Sequence, residues 1–264
     1  MLKNTARSIR TRAAAGLVTA AALTLALAGC GQDSTSPKEA RGRADNTAEV
    51  KAAAGANPQG AVDCAKAKCI ALTFDAGPGP HTPQLLDILK EKKVHATFFL
   101  LGRKHVDTYP DTVRRAAAEG HEIANHTWTH QRLDQLKPDE IRSELDRTQQ
   151  AVKKLTGHEP TLMRPPQGRT NDKVKAVAKE LGLAQVLWSA TAKDYATTDS
   201  ALIRKRILDQ AGRDGIILLH DIYDGTVPAV PGIIDELKRR GYTFVTVPQL
   251  LAPGTPQPGT LYRP

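Results

Sequence analysis

The chain is short of cysteine, lacks any internal repeat of fixed period, and has no apolar run of membrane-spanning length. Three cysteines among 264 residues are too few for a disulfide framework, so the fold has to rest on apolar packing. The absence of a repeat excludes a solenoid. The longest apolar or small-residue stretch, residues 13–28, falls short of the usual spanning length. Charge of one sign is not in large excess either. The formal net charge is +9, but Lys3, Arg7, Arg10 and Arg12 supply four of those charges and no acidic residue precedes Cys30, so nine less four leaves +5 beyond it. That balance is too mild to indicate nucleic acid and allows at most weak attraction to an anionic cell envelope. What remains is ordinary, with 40% apolar and 25% charged residues, enough for one folded domain with a core of barrel size. A monomer is expected.

The N-terminus reads as a targeting segment, with a basic region, then the apolar stretch, then LAGC ending at Cys30. It resembles a bacterial lipoprotein signal. That resemblance implies removal of residues 1–29, lipid on the Cys30 sulfur, and a mature chain held at the outer face of the cytoplasmic membrane. An uncleaved membrane anchor is the other reading, and both export the rest. In an oxidising compartment Cys64 and Cys69, five positions apart, are expected to form a disulfide that pins the first strand to the segment before it; two reduced thiols are the alternative. Residues 30–62 are rich in Ser, Thr, Pro, Ala, Gly and charge without apolar periodicity, and read as a flexible tether. The folded domain is expected over residues 63–251, followed by an extended Pro-rich tail at 252–264.

Within the domain, short β-prone runs alternate with helical patterns. The run CIALTFD is apolar, stops at Asp75, and is followed by AGPGP, which can only turn. Thr82-Pro83 signals a capped helix start, and Leu85, Leu86 and Leu89 supply its buried face. Further strands are expected at 96–101, 121–125, 161–164, 184–189, 215–220 and 242–247. Helices fall between them, among them a long one opened by Pro138 with Ile141, Leu145, Val152 and Leu155 at helical spacing. This order implies parallel strands with right-handed crossovers. The fold class is α/β, a distorted, incomplete (β/α) barrel of about seven parallel strands.

Parallel strands bring their C-terminal ends to one rim, so the residues that close them converge. They are Asp75, HTWTH at 126–130, RPPQG at 164–168, Asp194 beyond the strand that ends near Trp188, and His220. Spaced four apart, His126 and His130 would face one side of a helical turn, as paired metal ligands do.

The ordered set TFDAGP, HTWTH, RPPQG, WSATAKDY and IILLH resembles the five motifs of NodB-type polysaccharide deacetylases of carbohydrate esterase family 4, over roughly residues 69–250. The resemblance implies a divalent metal, commonly zinc, and hydrolytic removal of acetyl from a sugar polymer such as peptidoglycan, chitin or xylan. Carried over by motif, Asp75 is the general base and His126 and His130 are metal ligands. Arg164 orients the base, Asp194 tunes the catalytic histidine, and His220 is that histidine and the general acid. Gln167 offers a main-chain N–H to the oxyanion. Leu218 walls the acetyl pocket, with Trp188 and Tyr195 lining the substrate side.

Three departures stand out. Ala76 occupies the place of the family's third metal ligand, an Asp, and a methyl group cannot bind metal. Gln167 replaces the usual Tyr, and Thr191 and Tyr195 replace an Asp and a Trp. Two classes of function follow. One is a deacetylase with a weakly held metal; the other is a catalytically impaired relative that binds cell-envelope glycan. Retention of Asp75, Arg164, Asp194 and His220 together favours the first, because a binding module needs no acid, base and orienters. A purely structural zinc site fits least, since such sites close with four protein ligands.

Overall fold

The computed structural model describes Met1 and residues 34–44 and 62–264. The signal segment, Cys30 and most of the expected tether lie outside the described residues. The strands are β1 (Lys68–Asp75), β2 (Thr97–Leu100), β3 (Glu122–Asn125), β4 (Leu162–Met163), β5 (Ala184–Val186), β6 (Ala190–Thr191), β7 (Gly215–His220), β8 (Tyr242–Val245) and β9 (Leu261–Tyr262). The helices are α1 (Pro37–Ala44), α2 (Thr82–Glu91), α3 (Pro110–Ala118), α4 (Pro138–Thr156), α5 (Asp172–Glu180), α6 (Ser200–Gln210), α7 (Thr226–Arg239) and α8 (Val247–Leu251).

All nine strands join one parallel sheet in the order β6-β7-β1-β2-β3-β4-β5-β9, with β8 also on β1. At its centre β1 pairs along one edge with β7, from Ile70↔Gly215 to Asp75↔His220. Its other edge is shared: Lys68 to Ala71 pair with β8, and Thr73 to Asp75 pair with β2. Two partners on one edge require the sheet to curl, which gives the half-barrel expected from the motifs.

Strand alternation decides what faces the interior. Ile70, Leu72 and Phe74 of β1, with Ile217 and Leu219 of β7, pack outward against Leu85, Leu86 and Leu89 of α2 and Val230, Ile233 and Ile234 of α7. Cys69 and Ala71 point the other way, into a second cluster with Phe99, Ala124, Ala184, Ile216 and Val245. Thr73 and Asp75 continue this inner face toward the strand's C-terminal end, as Leu218 and His220 do on β7. The long helix α4 buries Ile141, Leu145 and Val152 and stops at Gly157, whose φ of 80° is the left-handed cap that glycine accepts without strain. Cys64 and Cys69 form a disulfide.

Several expectations are corrected. The sheet has nine strands rather than about seven, because β6 and β9 are two-residue strands. The tail is not simply extended: Gln185 and Val186 pair with Leu261 and Tyr262, so the domain runs past residue 251. Part of the expected tether is not a tether. Thr35 bridges to Tyr262, and α1 packs on α8. Arg41 donates to Asp214 at 2.6 Å and to the Leu250 carbonyl at 2.8 Å. Gly254 permits this approach, since a Cβ there would lie 2.5 Å from the Ala40 carbonyl oxygen. Thr82 is the first residue of α2 rather than its cap, which is His81.

Candidate active site

Asp75 and His220 stand opposite each other in the β1·β7 register, so the expected base and acid are neighbours on one rim. Each has a dedicated partner. Asp75 is buried and its Oδ1 accepts from Arg164 Nη1 at 2.6 Å. Arg164 is fully buried; it also donates to the Val186 carbonyl and to Thr73 Oγ1, and its guanidinium lies 4.0 Å from the Phe99 ring centre and 5.6 Å from that of Trp188. Burial works against the guanidinium's charge and lowers its pKa, and the adjacent Asp75 carboxylate opposes that shift. Trp188 thus lies against the Arg164 guanidinium and touches the space a Gly168 Cβ would fill.

His220 Nδ1 lies 2.8 Å from Asp194 Oδ1, while Asp194 Oδ2 accepts from the His220 backbone N–H at 2.7 Å and from Thr226 Oγ1 at 2.8 Å. Burial alone would lower the His220 pKa. The Asp194 hydrogen bond and the charges of Asp194, Asp75 and Asp221 outweigh it, and the net direction is up. Asp194 opens a short 3-10 turn after β6, rather than following directly on the strand of Trp188. Tyr195 is 58% exposed, and its ring meets His220 edge-on at 6.2 Å, with Tyr223 at 5.4 Å on the other contact. These groups open onto a groove lined by Asp194, Tyr195, Thr197, Thr198, Tyr223 and Asp224. Leu218 is buried two residues before His220 on the same strand face.

His126 and His130 come together with ring centres 4.9 Å apart, but not on a helical turn. The segment is an irregular loop in which Thr127 and His130 have φ of 76° and 64°. Asn125 Oδ1 accepts from Thr127 N–H and Thr127 Oγ1 from His130 N–H. From α4, the buried Glu144 accepts from the N–H groups of Trp128 and Thr129 and from Thr129 Oγ1. Nothing in the spacing announces Glu144, because a Glu every few residues is ordinary on a helix.

The two imidazoles suit a divalent cation. The Arg164 carbonyl can only accept, so His126 Nδ1, 2.8 Å away, carries the proton and Nε2 keeps its lone pair 3.9 Å from Asp75 Oδ2. Burial holds His126 down to about 4 and lowers His130 as well, so both rings are neutral near pH 7. Among the described residues no cluster of three His, Cys, Asp or Glu side chains forms a complete metal site. The donor set therefore fits an ion held by two protein nitrogens, and Ala76 brings no third. Gln167 has φ of 58°, and its N–H has no backbone partner among the described residues. Sequence reasoning passed over Asp221 and Tyr223 and read Thr82 only as a helix start; Asp221 is signalled only by standing next to His220.

Residues 63–186 match the model of a family described as Polysaccharide deacetylase. The chain is 42% identical over 184 residues to Peptidoglycan-N-acetylmuramic acid deacetylase PdaC of Bacillus subtilis, covering 69% of this chain and 38% of that one. It thus spans well under half the length of that relative. Over 190 residues it is 40% identical to a Peptidoglycan-N-acetylglucosamine deacetylase of Bacillus cereus, covering 70% of this chain and 88% of the relative. A solved structure, T48 deacetylase with substrate, superposes with a TM-score of 0.73 at 40% identity, covering 76% of this chain and all of that one. With the five motifs assembled on one curled parallel sheet, the chain belongs to the polysaccharide deacetylase family.

Proposed function

We propose that the chain is a metal-dependent hydrolase that removes acetyl groups from a cell-wall or related polysaccharide, an N-acetylglucosamine-type glycan by preference. We further propose that it works at the outer face of the cytoplasmic membrane, anchored by lipid on Cys30. The observation that carries the reading is the pairing of Asp75 and His220 on adjacent strands, each held by its own buried partner. The names of the relatives support the substrate class, since both act on peptidoglycan.

His126 and His130 would hold the metal, expected to be zinc, which when bound polarises the acetyl carbonyl and acidifies water. Asp75, oriented by Arg164, takes a proton from the attacking water. The Gln167 N–H is free to donate to the oxygen on which negative charge develops. His220, kept protonated by Asp194, gives its proton to the departing amine, so that amide and water become amine and acetate. Leu218 bounds the methyl side, and Tyr195 offers an exposed ring to the sugar.

One observation favours a second reading, a catalytically impaired glycan-binding lipoprotein: Ala76 supplies no ligand, and no described residue takes its place. Calorimetric zinc titration of the folded domain, alongside acetate release from an N-acetylated glucosamine oligomer, separates the two. The deacetylase reading predicts zinc binding weaker than that of a three-ligand site, together with zinc-stimulated release. No zinc binding at millimolar metal would contradict it and leave the glycan-binding role.

A further inference from the structure

Asp221 is a fully buried carboxylate that the chemistry above leaves unused. It follows His220 at the end of β7 and reaches across to the turn that leaves β1 after Asp75. Its Oδ2 accepts from Thr82 Oγ1, which in turn accepts from the Gly79 N–H at 2.8 Å. Against the same carboxylate lies the backbone of Gly77, so close that a Cβ there would stand 2.3 Å from Oδ1. Asp221 Oδ1 is buried with no hydrogen-bond partner among the described residues. A half-bonded buried carboxylate is an expensive way to fill space, and packing alone would be served better by an amide or an apolar side chain. Its position suggests what it does instead.

We propose that Asp221 is a positioning residue whose carboxylate clamps residues 76–82 to the end of β7 and so sets the base at Asp75 against the acid at His220. The proposal rests on the reading of those two residues as base and acid. The clamp acts through Thr82 and Gly79 on one side and through contact with Gly77 on the other. Charge enters as well. The groups facing Asp221 are His220 on its own strand and Asp75 on β1, while His81, on the clamped turn, is paired with Asp224. Asp221 is one of three carboxylates that favour the protonated imidazole of His220.

Burial pushes the Asp221 carboxyl up to about 6; Asp75 adds to that, and the Thr82 bond and His220 oppose it. Because the folded value lies above the ordinary one, stability is lost as pH rises from the ordinary carboxylate range toward 6, and the full cost of the ionised group is present above it. Asp221→Asn removes that cost and keeps an oxygen for Thr82. A group with only a structural role would behave oppositely, losing stability when changed.

The test uses the mature chain and two nearly isosteric variants, Asp221→Asn and Thr82→Val. Asp221→Asn should melt higher than wild type at pH 8, with a smaller gain at pH 5 and none below the ordinary carboxylate range. By NMR its His220 should titrate at lower pH, and kcat for acetate release at pH 8 should fall about tenfold with KM little changed. Thr82→Val removes the hydroxyl arm of the clamp while keeping the carboxylate, whose pKa then rises further. It should speed hydrogen exchange at the Ala76 N–H, which bonds the Phe99 carbonyl across the turn after β1, and lower kcat while moving the His220 titration less than Asp221→Asn does. An Asp221→Asn variant with unaltered His220 titration and kcat, or a Thr82→Val variant with unaltered Ala76 exchange, would overturn the proposal. A wild-type chain that releases no acetate would count against the deacetylase reading alone, since the titration and the exchange still decide the clamp.

Discussion

At the scale of single residues, environment rather than identity assigns the roles. Asp75 and Asp194 are both buried carboxylates, but one is fastened to a guanidinium and the other to an imidazole. The Asp194 bond leads to a prediction with a definite sign. A histidine whose pKa is raised contributes stability that is present below its ordinary value near 6.5 and is lost as pH rises through the folded value. Asp194→Asn should therefore lower the His220 pKa, move the alkaline limb of the acetate-release profile to lower pH, and reduce the extra stability seen at acid pH. An NMR titration of His220 checks the first, and an unmoved imidazole would mean the pair does not interact. Ala76 supplies a second prediction. Its φ of 64° is costly for alanine, whereas Asp tolerates the left-handed region better, so Ala76→Asp should fold without backbone penalty. Adding an anionic donor beside two neutral imidazoles should strengthen zinc binding by about tenfold or more, with affinity rising more than turnover because charge also moderates Lewis acidity. Calorimetry on Ala76→Asp and on His126→Ala reads this directly: an unchanged affinity in the first means either that another donor fills that position or that the two histidines hold no metal, and the second variant separates the two.

At the scale of elements, legibility followed length and periodicity. The alternation of apolar strands and amphipathic helices was readable because runs such as ALTF and the Leu85–Leu86–Leu89 face carry a period. The elements that escaped carry none. Both β6 and β9 are two residues long, too short to show alternation. Helix α1 is polar in sequence and is held by Arg41 through its bonds to Asp214 and the Leu250 carbonyl, not by an apolar stripe. Its docking therefore has no signature in hydropathy. The four-residue spacing of His126 and His130 implied a helical turn, whereas the rings meet in a loop shaped by positive φ values and by Glu144, which is distant in sequence. A prediction belongs to α1. Arg41→Ala leaves Asp214 largely buried with one oxygen already lacking a partner among the described residues, and should cost about 2–3 kcal/mol in urea unfolding. A loss below a few tenths would mean that the segment contributes little to the domain.

At the scale of the molecule, five segments spread from Asp75 to His220 meet at one rim because every described strand of the sheet runs the same way. Asp75 and His220, the proposed base and acid, are set side by side by the register of two neighbouring strands. The gathering of the motif residues at one rim was legible for that reason, while the groups that hold them, Thr73, Thr82, Glu144 and Asp221, depend on contacts that only folding creates. The central claim is that this rim hydrolyses acetyl groups by Asp75 and His220. It is tested most directly by the rate of acetate release from an N-acetylated glucosamine oligomer at saturating zinc, for the wild-type chain and for Asp75→Asn. The account predicts measurable release by the wild type and a fall of about 100-fold or more in kcat for the variant, with zinc affinity largely kept. Equal rates in the two folded proteins, or release by neither, would contradict it.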